Sequence, residues 1–157
     1  MEQFQRSMLI GTMPSSSRIL PHLYQGAQPP RGATLASNGF HVVVLCASEY
    51  QPASEDFWGV RVIRCPFNDS FTVPLTFAER RMIGDTVSRV VRELRCDRRV
   101  YISCHAGINR SGLVTALVVR ELTGCNGKAA RRWVQAQRPG SLSNPRFRAI
   151  LDALEAP

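Results

Sequence analysis

The chain has 157 residues, 44% of them hydrophobic and 20% charged, and a formal net charge of +8 at pH 7. This length predicts one domain with a real core, and no apolar run approaches the ~20 residues that a membrane-spanning helix needs. Residues 1–17 lack both the basic start and the apolar segment of a secretory signal. We therefore expect a cytoplasmic protein without a membrane partner, for which nuclear entry stays open.

Strands and helices alternate along the sequence. The predicted strands are residues 18–24, 41–48, 60–67 and 98–103. The predicted helices are residues 33–40, 75–94, 111–122, 127–137 and 144–156. This alternation predicts an α/β fold, a single-domain three-layer sandwich with a central, mainly parallel sheet flanked by helices. We expect that domain to span residues 16–157, after a flexible N-terminus at residues 1–15.

Positive charge is carried almost entirely by arginine, since Lys128 is the single lysine among 20 Lys and Arg residues. Arginine pairs well with phosphate, so an excess of this size attracts anionic partners. The alternative is a solvated helix face, which residues 89–99 resemble. No aromatic residues interleave with these arginines as they do in a nucleic-acid stacking surface. Charge alone therefore leaves the partner open.

The five cysteines are odd in number and none has the C-x2-C spacing of a zinc site. They are Cys46, Cys65, Cys96, Cys104 and Cys125. Free thiols in a reducing compartment fit this pattern, and we expect no metal and no cofactor.

The segment "YISCHAGINRSGLVTALVVREL", residues 101–122, joins the end of a strand to the start of a helix through a polar loop. Ligands of α/β sheets bind beyond the carboxyl ends of strands, and the free amides of a helix N-terminus favour an anion. Gly107 and Gly112 let the backbone curl closely, and Arg110 can pair with two phosphate oxygens. Cys104 would lie beneath that anion, where positive potential favours the thiolate. The alternative for Cys104 is a small buried core residue.

The sequence "CHAGINRSG" resembles the phosphate-binding loop of cysteine-dependent (C-x5-R) protein phosphatases. The wider chain, from "RILPHLYQGAQ" through "CASEYQP" to "RPGSLSNPRF", is similar to the small dual-specificity branch. The resemblance implies a protein tyrosine phosphatase-like fold, with Cys104 as nucleophile, Arg110 as phosphate clamp and Ser111 as hydroxyl donor to the departing thiolate. It also implies that the loop binds the substrate phosphate through His105, Ala106, Gly107, Ile108, Asn109 and Arg110.

A phosphate ester also needs an acid that protonates its leaving oxygen. Asp69 follows the predicted strand at residues 60–67, and in the family that this chain resembles the general acid lies in the matching loop. The alternative is a turn or capping role, because Asn-Asp-Ser is prone to turns. Glu55 and Asp56 in the preceding loop and Asp85 inside a helix are weaker candidates.

Two further positions qualify the resemblance. Ser103 stands where the family usually has a histidine that supports the nucleophile. Cys46 ends a predicted strand, and tensin-like lipid phosphatases place a resolving cysteine at the equivalent point, so Cys46 is a candidate redox partner of Cys104. The alternative for Cys46 is an inert core residue.

The resemblance implies a phosphatase that removes phosphate from tyrosine, and from serine or threonine, in proteins through a phosphocysteine intermediate. One alternative is an RNA 5′-phosphatase of the same superfamily, because "GINRSG" also resembles the loop of those enzymes and the basic charge suits RNA 5′ ends. Another is a non-catalytic phosphate-binding module. Phosphoinositides are disfavoured because the loop contains no lysine. The oligomeric state stays open.

Overall fold

One mainly parallel sheet forms the centre of the computed structural model, which describes residues 12–157. Its strands are β1 (Ser16–Leu20), β2 (Leu23–Gly26), β3 (Val42–Ala47), β4 (Arg61–Phe67) and β5 (Val100–Ser103). Their order is β1-β2-β5-β3-β4, with β1 antiparallel to β2 and the other neighbouring pairs parallel. The predicted α/β class is therefore confirmed. Most of the expected flexible N-terminus, residues 1–11, lies outside the described residues.

The helices cover the two faces of the sheet unequally. They are α1 (Thr34–Ser37), α2 (Phe77–Arg95), α3 (Arg110–Thr123), α4 (Gly127–Gln137) and α5 (Pro145–Asp152). The four long helices pack on one face, whereas the short α1 and a 3-10 turn at Ser54–Asp56 lie on the other side. Within residues 12–157, every helix is too short or too polar to span a membrane.

The interior strand β3, between β5 and β4, is buried on both faces, as its unbroken apolar run predicts. Val42, Val44 and Cys46 point into the larger core beneath the four long helices. Val43 and Leu45 point into a smaller core on the opposite face. Because β3 and β5 are parallel neighbours, their carboxyl ends lie at the same edge of the sheet.

The segment predicted as one strand at residues 18–24 is a hairpin, and that prediction was wrong. The chain reverses at Pro21 and His22, and β1 and β2 pair in antiparallel register. Proline has no N–H for a strand ladder, and His22 has φ of 67°, a left-handed value that ends extended structure. The other predicted elements are present; the helix at residues 127–137 has the predicted ends, and each of the others is shifted at one end or both.

The start of α2 anchors the segment that precedes it, residues 68–76. Glu79 N–H donates to Thr76 Oγ1 at 3.1 Å and Thr76 N–H donates to Glu79 Oε1 at 2.9 Å, which forms a capping box. Asn68 N–H donates to the other oxygen of Glu79 at 3.4 Å. The backbone beside Asp69 is thus fixed to the helix N-terminus.

Candidate active site

Residues 104–109 form a tight loop between β5 and α3, at the edge where β2, β5 and β3 end. Gly107 has φ of 70°, and a Cβ there would lie 2.2 Å from the carbonyl carbon of Gly26. Only glycine fits this approach. Gln28 N–H donates to the His105 carbonyl at 3.1 Å, so the loop also rests on the chain that follows β2.

The loop carbonyls are bound from outside the loop. Arg138 Nε donates to Gly107 O at 2.6 Å and its Nη2 donates to Ala106 O at 3.2 Å. Gln25 Nε2 also donates to Gly107 O at 3.0 Å, and Leu142 N–H donates to the carbonyl of residue 108 at 3.1 Å. Because C=O and N–H of a peptide unit point in opposite directions, the N–H groups that follow these carbonyls face the loop interior. Inward N–H groups at a helix N-terminus form an anion site.

Cys104 lies at the floor of this loop and is 4% exposed. Its Sγ is 3.2 Å from Ser111 Oγ, and either atom can donate that hydrogen bond. Ser103, in place of the family's histidine, donates its hydroxyl to the Val44 carbonyl at 2.8 Å. That bond ties β5 to β3 directly below the loop.

Arg110 binds Glu49 with the two terminal nitrogens of its guanidinium. Nη1 donates to Glu49 Oε2 at 2.7 Å and Nη2 donates to Oε1 at 2.6 Å. Nη1 also donates to the Phe67 carbonyl at 3.3 Å. The ion pair lowers the pKa of Glu49 from 4.5 to about 2 and raises that of Arg110.

These bonds leave one edge of the Arg110 guanidinium free. Of its five N–H groups, three are used by Glu49 and Phe67, and Nε is buried with no hydrogen-bond partner. The Nε hydrogen and the second Nη2 hydrogen lie side by side on that free edge. Two adjacent donors with this spacing match two oxygens of one phosphate.

Glu49 was not predicted from the sequence as a site residue. It follows β3 in "CASEYQP", and the shared edge of β3 and β5 brings it to Arg110, 61 positions along the chain. An acidic residue just after a buried parallel strand is the signal that could have indicated it.

Asp69 is connected to the loop by side-chain amides. Asn109 Nδ2 donates to Asp69 Oδ2 at 3.0 Å, and Asn144 Nδ2 donates to Oδ1 at 2.7 Å. Asn144 was not predicted as a site residue. In the described part of the chain, the weaker candidates for the acid have no contact of this kind with the loop. Asp56 pairs with Arg31 at 3.7 Å, and Glu55 and Asp85 are exposed.

The remaining candidates differ in burial. His105 and Ala106 are exposed at the rim, and Gly107 is buried. Cys46 is fully buried in the same core cluster as Cys104, and burial together with a hydrogen bond to Cys65 raises its pKa. All five cysteines are free thiols. No group of His, Cys, Asp or Glu side chains in residues 12–157 is arranged to hold a metal ion.

No family model matches the chain, but individual proteins are similar to it. Human dual specificity protein phosphatase 8 is 28% identical over 133 residues, which cover 83% of this chain. The chain spans about a fifth of the length of that relative.

Solved structures extend the likeness to the whole fold. A mouse putative dual specificity phosphatase complexed with zinc tungstate superposes with a TM-score of 0.76 at 24% identity, covering 92% of this chain and 89% of that one. Tk-PTP in its active form superposes with a TM-score of 0.74 at 25% identity, covering 92% of this chain and 98% of that one. The fold is therefore protein tyrosine phosphatase-like. In sequence the chain is thus similar to a dual specificity phosphatase, and in fold it is similar to solved phosphatases of the dual-specificity and tyrosine classes.

Proposed function

We propose that this chain is a phosphatase that hydrolyses phosphotyrosine, and phosphoserine or phosphothreonine, in proteins through a phosphocysteine intermediate on Cys104. The observation that carries the proposal is the free edge of Arg110, whose buried Nε lacks a partner and which directly follows a loop with inward N–H groups. A buried donor left unpaired costs stability, so its retention favours a site that an oxyanion completes.

In the first step the substrate phosphate occupies the loop and Cys104 Sγ attacks the phosphorus atom. The S–P bond forms and the P–O bond of the ester breaks. Asp69 gives its proton to the leaving oxygen, which would otherwise leave as an unstable anion. Arg110 and the loop N–H groups stabilise the charge on the transferring oxygens.

In the second step water attacks the phosphocysteine and the S–P bond breaks. Asp69, now a carboxylate, takes the proton from that water. Ser111 Oγ lies 3.2 Å from the sulfur and stabilises the departing thiolate by donating a hydrogen bond to it. Phosphate then leaves and the site returns to its starting state.

The position of three exposed arginines on α2 gives no support to an RNA substrate. The exposed Arg89, Arg92 and Arg95 lie on the last part of α2, and α2 ends where the chain enters the amino end of β5. The phosphate loop leaves the opposite, carboxyl end of β5. These arginines therefore lie away from the loop, whereas a 5′-triphosphate would need further cations beside it.

Turnover of three substrates by the reduced protein tests the proposal. We expect kcat/KM to be highest for a phosphotyrosine peptide, measurable for a phosphothreonine peptide, and lowest for 5′-triphosphorylated RNA. A large preference for the RNA would replace this proposal with the RNA 5′-phosphatase. Binding of inorganic phosphate without turnover of any of the three would instead identify a phosphate-binding module.

A further inference from the structure

The carboxylate of Asp69 has a hydrogen-bond donor on each oxygen. Asn109, the last loop residue before Arg110, binds Oδ2 at 3.0 Å, and Asn144, at the start of α5, binds Oδ1 at 2.7 Å. Both asparagines are buried, at 8% and 0% exposure. The carboxylate is therefore held in one orientation by two segments distant in sequence.

The two asparagines are also joined to each other. Asn109 Oδ1 accepts from Asn144 N–H at 2.9 Å and from the Ser143 hydroxyl at 3.2 Å. Asn144 Nδ2 donates a second bond to the Ser70 carbonyl at 3.2 Å, and Arg146 Nε donates to the Phe71 carbonyl at 3.1 Å. This network connects the phosphate loop, the segment that carries Asp69 and the N-terminus of α5.

Asn109 does not have the role its position in the chain would suggest. It is the N-cap residue of α3, where asparagine commonly accepts a hydrogen bond from a first-turn N–H. Its side chain makes no such bond. Asn144 and Asn126, by contrast, cap α5 and α4 in the usual way. The side chain of Asn109 thus forms its hydrogen bonds with Asp69 and with residues 143 and 144, and none with the first turn of its own helix.

We propose that Asn109 is a positioning residue for Asp69, which holds the acid over the phosphate loop before substrate binds. This inference rests on the proposed function and concerns how the same site works. In the first step the proton passes from Asp69 Oδ2 to the leaving oxygen of the substrate. The two amide donors then stabilise the negative charge that remains on the carboxylate, and this stabilisation favours transfer of the proton to the substrate. In the second step the same carboxylate oxygen, still held by Asn109, accepts the proton from water.

A double-mutant cycle with two aryl phosphates tests the proposal. The variants are Asn109→Ala, Asp69→Asn and their combination, and the substrates are p-nitrophenyl phosphate and phenyl phosphate. Phenolate is the poorer leaving group, so its release depends more on the acid. We expect Asn109→Ala to lower kcat about tenfold more for phenyl phosphate than for p-nitrophenyl phosphate. In the Asp69→Asn background the same substitution should cost less than about twofold, because there is no acid left to position.

Asn126→Ala is the matched control, since it removes an asparagine at a helix N-terminus outside the site, and its kcat should equal the wild-type value. The inhibition constant of inorganic phosphate checks that the phosphate loop of the Asn109→Ala variant is intact. If that variant does not fold, Asn109→Ser replaces it in the double-mutant cycle. Equal losses on both substrates, or an undiminished loss in the Asp69→Asn background, would overturn the inference. A wild-type protein that hydrolyses neither aryl phosphate would instead contradict the proposed function.

Discussion

Replacing Glu49 tests whether the ion pair supports Arg110 or competes with substrate for it. Glu49 binds the two terminal nitrogens of Arg110 and leaves free the edge that carries Nε, which we propose binds the substrate phosphate. If the carboxylate fixes the plane of the guanidinium, Glu49→Gln should weaken phosphate recognition. If the carboxylate competes with phosphate, the same change should strengthen it.

The contacts set the size of the expected effect. A hydrogen bond to a charged group contributes about 1.5–3 kcal/mol, and Glu49 makes two of them, at 2.7 and 2.6 Å. Glutamine keeps one neutral acceptor. The Glu49 side chain is also 50% exposed, so water compensates for part of the lost charge, whereas the Arg110 side chain is 9% exposed. We therefore expect a net loss of about 1.4–2.8 kcal/mol, or about 10-fold to 100-fold in kcat/KM.

The assay is hydrolysis of p-nitrophenyl phosphate by the wild type, Glu49→Gln and Glu49→Asp. The aspartate variant should lie between the other two, because it keeps the charge on a side chain too short to span both nitrogens. Glu55→Gln is the control. It removes an exposed carboxylate from the 3-10 turn that comes shortly after Glu49 in the chain, and it should leave kcat/KM unchanged. A Glu49→Gln rate equal to or above that of the wild type would refute the supporting role.

Four other predictions address the same site. The ion pair lowers the pKa of Glu49 from 4.5 to about 2. Its contribution to stability is therefore complete above pH 4.5 and is lost as the pH falls toward 2. The difference in Tm between the wild type and Glu49→Gln should be constant above about pH 5 and shrink below it. Cys104→Ser should abolish turnover and keep phosphate binding, since a hydroxyl is too weak a nucleophile, and residual full activity would remove Cys104 from that role. Asp69→Asn should lower the rate on a phosphotyrosine peptide by roughly 10² to 10⁴ and the rate on p-nitrophenyl phosphate by much less, and equal small losses would reassign the acid. Mild peroxide should convert Cys104 to a sulfenic acid that condenses with the Cys46 thiol, releasing water and forming a disulfide that dithiothreitol reverses; peptide mapping that finds a Cys104 sulfinic acid beside free Cys46 would contradict this.

Local sequence signals predicted most of the fold. The unbroken apolar run of β3 and the helical spacing of apolar residues in α2 each depend on one segment and its own burial. The hairpin of β1 and β2 was missed because the turn contains no glycine. Only Pro21, which cannot donate to a strand ladder, marks the break, and the left-handed φ of His22 was not predictable from its residue type.

The site was predictable where its residues lie in one segment. Cys104, Arg110 and Ser111 fall within eight positions between a strand and a helix, so their proximity follows from the loop itself. Glu49 and Asn144 meet their partners across 61 and 75 positions. Such contacts depend on which strands are neighbours and where α5 packs, and neither is encoded in any single segment.

The charges around the loop explain why the large positive surplus of the chain is a poor guide to its ligand. Among residues 12–157, the guanidiniums that contact or belong to the loop are those of Arg110 and Arg138, and both residues are 8% exposed. Glu49 opposes the charge of Arg110, and Arg138 is directed at the carbonyls of residues 106 and 107. A phosphate dianion must then be held by directed donors, the inward N–H groups and the free edge of Arg110, at the positive end of the α3 dipole. Binding at such a site depends on loop geometry, and Arg138 supports that geometry by binding two loop carbonyls, although it is not itself a proposed phosphate ligand.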